Sequence, residues 1–513
     1  MVSQRVHCSA KKGLSIMKKL EEVRYFADEE SVTLYWRKPA YEAGVYTMTL
    51  DGKKAGETEK TYYRFAGLEA GKEYQFGVYC AESEITLAIT TGAARKHIDV
   101  TAAPYHAVGD GKTMNTAALQ QAIDDCGAGE TVYIPDGTFM TGSLKLHSDM
   151  ELYLEEGAVL QGTDNPADYL PRIWSRFEGI ERECYSSLLN LGDMNHTGGY
   201  NCKNVMIRGK GTIASGGKNL AKKVIVLERE RLKKELEADA DRVKACEKPE
   251  TIPGRVRPKL VNISNSQNVV LSGITLRDGA CWNVHMIYSD NIVTEGCTFY
   301  STDVWNGDGW DPDSSTNCSI FNCMFYTGDD SVSVKSGKNP EGNVVARPSE
   351  HIWIFDCKCA FGHGITIGSE MSGGVRDVDI WDCDMGKSMS GIEIKGTKKR
   401  GGFVRDIHVR DSVASRVMFH AVGYNDDGIA APVPPIFENC CFERTRILGE
   451  YFDHDSQWIA CDALEFVGFE EPGYELKNIT LRDITVGARQ KGRRQSISLQ
   501  YCENITIERI RCL

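Results

Sequence analysis

Three short segments of this chain hold side chains that can move protons, and they recur along a repeating sequence: Asn306-Gly307-Asp308-Gly309, Gly328-Asp329-Asp330 and Gly362-His363-Gly364. A parallel solenoid stacks residues that are dozens of positions apart in the chain, so these segments are expected to meet in one patch. Carboxylates held that close repel, which raises at least one pKa and separates an acid from bases. That division of roles is what glycoside hydrolysis requires. Strand alternation sends adjacent Asp329 and Asp330 to opposite faces unless the backbone bends, and Gly328 permits a bend. Any one of these aspartates, taken singly, could simply terminate a strand; the set in register is what carries the chemistry.

The elements that must position the patch can be read from the repeat. Segments beginning at Asn204, Asn268, Asn291, Asn317, His351, Asp377 and Asp406 superpose, and from Asn268 onward their starts are 23, 26, 34, 26 and 29 residues apart. A constant strand core with variable spacing means a regular coil with loops of different length. The expected architecture is all-β: a right-handed parallel β-helix over residues 97–513. Asn115 is expected to cap a short helix whose stripe Ala118, Leu119, Ala122 and Ile123 closes the open end of the coil. Cys297, Cys323, Cys357 and Cys383 fall at one point of the repeat, which predicts a ladder of small buried side chains rather than disulfides. Cys357-Lys358-Cys359 lacks a second ligand pair for zinc, and neither a metal nor a cofactor is expected.

Residues 20–93 have a different pattern. Ser31-Val32-Thr33-Leu34-Tyr35-Trp36 alternates, and Leu68 to Tyr74 resembles the tyrosine corner of a fibronectin type III sandwich, so an N-terminal β-sandwich is expected. A charged stretch at about 216–256, with opposite charges at i,i+4 between Glu228 and Glu237, reads as a helical insertion, mostly solvated, with a lid or oligomer contact as the other reading. The formal net charge is -12 with 72 acidic and 60 basic residues, which offers no basic footprint for nucleic acid or an anionic membrane. No apolar run is long enough for a membrane span or a signal-peptide core, and a cytoplasmic location is expected. Homo-oligomerisation is left open by the sequence.

The ordered set Asn306-x-Asp308-Gly309, Gly328-Asp329-Asp330, Gly362-His363-Gly364-Ile365-Thr366-Ile367-Gly368-Ser369 and Ile394-Lys395 resembles glycoside hydrolase family 28, the polygalacturonases, over roughly Asp99 to Leu513. Asp311-Pro312-Asp313-Ser314 and Gly368 to Gly374 are similar to the exo-acting branch, as is the leading fibronectin-like unit. The resemblance implies inverting hydrolysis of an α-galacturonosyl bond in a pectic oligosaccharide. Asp329 would be the general acid; Asp308 and Asp330 would hold and deprotonate water, His363 would tune the acid and Asn306 would orient its neighbours. Acid and base would stand about 6.5–9.5 Å apart. Lys395 would bind the substrate carboxylate, and Tyr424, Arg257 and His285 would line the cleft. Trp282 is read as core before cleft, Trp305 or Trp310 could stack on a sugar ring, and His420 is read as a core histidine.

One position departs from the family. Its Arg-Ile-Lys motif is Glu393-Ile394-Lys395 here, with Glu393 and Lys395 on the same strand face. Loss of a bidentate contact forfeits roughly 1.5–3 kcal/mol. Either Lys398, Lys399 or Arg400 supplies the missing charge, or the subsite takes a neutral or decorated sugar, as in rhamnogalacturonan fragments. The competing classes are a calcium-dependent pectate lyase and a non-catalytic glycan-binding β-helix. Exo action needs a cleft closed at one end, for which the insertion or the sandwich is the expected wall.

Overall fold

The structure, a computed structural model, describes residues 4–7, 20, 22–39, 44–80, 83–238, 256–421, 429–455, 457–487 and 497–513. Each turn of the coil visits three parallel sheets in order. The turn that carries Asp308, for example, runs through Trp310–Asp313, then Ser319–Phe321, then Met324–Tyr326, and returns to the first sheet at Val332–Val334. Stacking these turns gives one 11-stranded and two 13-stranded sheets around a continuous apolar interior.

The repeat seen in the sequence has a backbone cause. Asn204, Asn268, Asn291, Asn317, His351, Asp377 and Asp406 all lie in the left-handed region, with φ between 52° and 59°. Asn and Asp tolerate that conformation better than other side chains that carry a Cβ. Their amides also pair from turn to turn: Asn268 Nδ2 donates to Asn204 Oδ1 at 3.0 Å and Asn291 Nδ2 to Asn268 Oδ1 at 2.8 Å. Cys297, Cys323, Cys357 and Cys383 form the expected ladder, each 3% exposed or less and unbridged. Cys8 and Cys246 lie outside the described residues.

Helix Thr116–Asp124 covers the coil's first turns with Leu119, Ala122 and Ile123 buried. Asn115 stands at its N-cap but caps nothing; its amide instead bonds the backbone of Val108 and Thr113. In the insertion, helix Gly217–Arg231 starts earlier than the charge pattern suggests, and its first half packs on the coil through Leu220, Ala221, Val224 and Ile225. Even Glu228 is only 1% exposed, held by Arg172 and Arg231. The mostly solvated reading is therefore wrong for this half of the insertion, while residues 239–255 lie outside the described residues. Among the described residues no helix is long and apolar enough to cross a membrane.

The N-terminal unit is two four-stranded antiparallel sheets, Gln4–His7, Glu22–Ala27, Ser31–Trp36 and Tyr62–Ala66 on one side, with Tyr46–Leu50, Lys53–Thr58, Glu73–Cys80 and Ser83–Thr90 on the other. The tyrosine corner forms: Glu69 N donates to Tyr74 Oη at 3.0 Å. This sandwich docks on the outer face of the sheet that contains Ser319–Phe321. There Phe321, Phe355 and Trp381 stack at 4.6 and 4.4 Å and Tyr35 lies 5.1 Å from Phe321. The sandwich thus covers a different sheet from the one that follows the acid-bearing turns, and it does not wall the cleft as the sequence suggested it could.

Candidate active site

The turns that lead from Met324–Tyr326 and its equivalents into the 11-stranded sheet hold Asp308, Asp329, Asp330 and His363. Gly328 is needed there for space: a Cβ would meet Val304 O at 2.2 Å and Ser301 O at 2.6 Å. Gly362, at φ +91°, packs against Thr327 O. These close contacts press successive turns together and bring the acids into reach of one another.

His363 Nδ1 lies 3.1 Å from Asp329 Oδ1 and 3.1 Å from Asp330 Oδ1, one proton facing two carboxylates. Burial opposes charge on the ring, but the bonds to both aspartates lift its pKa up to about 10. Asp330 also accepts from Thr366 Oγ1 at 2.7 Å and faces Lys395 Nζ at 3.4 Å. Burial would raise this carboxyl, yet Lys395, His363 and Thr366 hold it well below the usual carboxylate range. Asp329 is the more open of the pair, its side chain 25% exposed against 6%. Asn306 Nδ2 approaches Asp329 Oδ2 at 3.4 Å, the positioning expected of it. The ligand atoms of Asp329, Asp330 and His363 lie within 4.8 Å of one another, a spacing a cation could also bridge.

Asp308 is 3% exposed and accepts from Lys335 Nζ at 3.0 Å through Oδ2, while its Oδ1 has no partner. Burial and the charges of Asp329 and Asp330 push its pKa up to about 8, against the pull of Lys335. Asp311, fully buried beside it, has no hydrogen bond on either oxygen but lies 3.9 Å from Lys335 Nζ through Oδ1, and burial and Asp308 push it well above its ordinary value against the pull of Lys335. Lys335 is missing from the sequence reading. Alternation along Val332-Ser333-Val334-Lys335 was the signal that could have found it, and in the structure Lys335 bridges to Asp313.

On the following turns Glu393 and Lys395 share a face as expected, with Glu393 Oε2 3.8 Å from Lys395 Nζ and Oε1 3.3 Å from His420 Nδ1. His420 is therefore no core histidine: its side chain is 37% exposed and its pKa is raised by the bond to Glu393. Several expected cleft residues are interior. Trp310 is fully buried and donates from Nε1 to Thr294 Oγ1 at 3.0 Å. His285 is fully buried, its Nε2 3.1 Å from Asp313 Oδ2, with a pKa lowered to about 3 by burial. Arg257, 1% exposed, donates to Trp305 O at 2.8 Å and Asn306 Oδ1 at 2.7 Å, so it fixes the loop of Asn306 and is not exposed in the cleft. Arg400, 1% exposed, donates to Ser369 O and Asn339 Oδ1 and so does not replace the missing cleft charge. In each case long-range contacts claim a side chain whose local sequence leaves it free. Tyr424 lies outside the described residues.

Ile173–Phe177 and Ile180–Cys184 form an antiparallel hairpin that the repeat does not predict. Arg176 reaches from it to Asp313 Oδ1 at 2.6 Å and Ser314 Oγ at 3.1 Å, and its guanidinium also bonds Tyr288 Oη. Phe177 stacks on Trp282 at 5.1 Å, and Lys335 Nζ sits 4.1 Å from the same indole. The hairpin thus lies over the 11-stranded sheet at Asn262 and Asp313, and its tip reaches the later turn, where Lys338 N donates to Gly179 O at 2.9 Å.

Comparison with known proteins agrees with this geometry. The model for glycosyl hydrolases family 28 matches residues 177–422, and one described as rhamnogalacturonase A/epimerase, pectate lyase-like, matches residues 100–161. The exo-poly-alpha-D-galacturonosidase of Dickeya chrysanthemi is 31% identical over 69% of this chain. The chain spans 62% of that relative's length. The structure of the Yersinia enterocolitica family 28 exopolygalacturonase superposes with a TM-score of 0.74 at 22% identity, covering 94% of each chain, and shares the fold. The Thermotoga maritima exopolygalacturonase superposes with a TM-score of 0.64 at 26% identity, covering 80% of this chain and 92% of the other. With the ordered acid set on a parallel β-helix, this chain belongs to glycosyl hydrolases family 28.

Proposed function

We propose that this protein hydrolyses α-galacturonosyl linkages of pectic oligosaccharides from a chain end, with inversion. The observation that carries the reading is the convergence of Asp308, Asp329, Asp330 and His363 on one wall, with Asp330 tied by Lys395 and His363 and Asp329 left more open. Asp329, reachable by substrate, gives its proton to the leaving glycosidic oxygen as the anomeric carbon–oxygen bond breaks. A water on the opposite face of the sugar attacks that carbon and loses its proton to Asp308 or Asp330. His363 lies against the acid and returns it to its protonated state for the next turnover.

Chain-end action is supported by the hairpin, which lies over the sheet beside the acids and supplies a wall that the sandwich, on another sheet, does not. Glu393 supports a narrower version of the substrate. Its carboxylate occupies part of Lys395 and pairs with His420, so the adjoining subsite favours a neutral or decorated sugar over a bare uronate. The test is product analysis on defined homogalacturonan and rhamnogalacturonan oligosaccharides, with and without chelator. Release of single saturated sugars from chain ends, unaffected by chelator, is expected. Internal cleavage sinks the exo assignment, and a 4,5-unsaturated product sinks hydrolysis.

A further inference from the structure

The interior next to the acid cluster holds a cation that the mechanism above does not use. Lys335 is 4% exposed, its Nζ 3.0 Å from Asp308 Oδ2, 3.9 Å from Asp311 Oδ1 and 4.1 Å from the ring of Trp282. We propose that Lys335 is a positioning residue for the water-activating carboxylate: its ammonium, contested by Asp308 and Asp311, orients Asp308 and sets the pH at which that group can take a proton. The inference rests on the hydrolytic reading of the site.

Two carboxyls cannot both ionise cheaply in a dry interior beside one ammonium. Asp308 holds the shorter contact, and with Oδ2 bound to Lys335 its buried Oδ1, which has no hydrogen bond, is the oxygen left to take a proton. Asp311 has no hydrogen bond on either oxygen and competes through charge alone. The other charged or titratable groups around Lys335 are Asp313 and His285 on preceding strands of the sheet, Asp330 five residues before it on the same turn and Glu370 on the loop beyond. Asp313 is already committed to Arg176 and His285, and Asp330 to Lys395 and His363. Lys335 is therefore the cation in hydrogen-bonding contact with Asp308 in the described site.

Loss of the ammonium should move the acidic limb of the kcat/KM profile, and loss of its second carboxyl neighbour should not. Lys335→Gln removes the charge that favours ionised Asp308, and the limb should rise by about one pH unit or more, with a rate loss of about tenfold or more on the acidic side. Lys335→Arg should restore most of the shift. Asp311→Asn leaves Lys335 to Asp308 and removes a carboxyl that burial and the charge of Asp308 keep protonated, so the limb should stay where it is in the wild type. Thermal unfolding of each variant reports whether it is folded. An unmoved limb in folded Lys335→Gln overturns the proposal. If that variant does not fold, Lys335→Met, which keeps the stem and loses the charge, decides alone, and an unmoved limb there is the refuting result. Turnover of pectic oligosaccharides by the wild type tests the functional reading separately, and if another glycan is the substrate, the same shifts are measured on it.

Discussion

The hairpin wall makes a prediction that can be worked through from its anchor. Arg176→Met removes a fully buried guanidinium while keeping much of its length and volume. What stays behind is Asp313, 1% exposed, which then loses a 2.6 Å charge-assisted bond and keeps His285 and Gly337 N. Breaking a buried pair by removing one partner costs about 3–5 kcal/mol. Part of this is recovered where His285 takes a proton against the bared carboxylate, so the lower end of that range is expected. The pH dependence has a definite sign. Burial works to raise Asp313, but Arg176 and His285 hold its pKa far below the unfolded value, so the pair stabilises the fold above the ordinary carboxylate pKa of about 4 and loses that contribution as pH falls through the depressed folded value. The stability gap between wild type and variant should therefore be full at pH 7 and shrink toward pH 3. Calorimetric unfolding at both values measures it, and the products from a hexagalacturonide report whether the loosened hairpin admits chains that extend past it. A midpoint within one degree of wild type at pH 7, or a product pattern still confined to chain ends in a destabilised variant, would refute the reasoning.

Three further outcomes are expected. Asp329→Asn should lower kcat by about a hundred- to ten-thousandfold while oligosaccharide binding by calorimetry stays within a few-fold; a comparable loss of binding would assign Asp329 to recognition. Glu393→Arg should raise the preference for homogalacturonan over rhamnogalacturonan fragments, read as a ratio of kcat/KM, and an unchanged ratio removes Glu393 from specificity. Because His363 has a folded pKa raised to about 10, its charge stabilises the fold below about pH 6.5 and that contribution is lost as pH rises toward the folded value. His363→Gln should accordingly show a smaller drop in unfolding temperature between pH 7 and pH 10 than wild type does. An equal drop in both proteins contradicts the assignment.

The coil was legible because it is written locally. A left-handed φ recurs once per turn, and Asn or Asp at Asn268, Asn291 and Asn317 is the local chemical answer to it. The cysteine ladder and the apolar stripe of helix Thr116–Asp124 are visible for the same reason, since each depends on spacing alone. The acid set was legible too, because a constant strand core brings Asp308, Asp329 and His363 together even where the loops between them differ in length. Exposure was not. Trp310, His285, Arg257 and Arg400 each look like cleft residues in their own segment, and each is claimed by a partner from a distant segment or by the coil interior.

The sequence by itself determined the fold and which carboxylates and histidine come together, because a periodic backbone needs only short-range information to bring them into register. The tertiary structure decided their environment. It placed Lys335 between Asp308 and Asp311, set the hairpin of Arg176 across one side of the sheet, and sent the sandwich to a different sheet altogether. Those contacts join segments without a repeat in common, such as Arg176 with Asp313 and Tyr35 with Phe321, and their strength depends on burial and distance, which spacing along a chain does not encode.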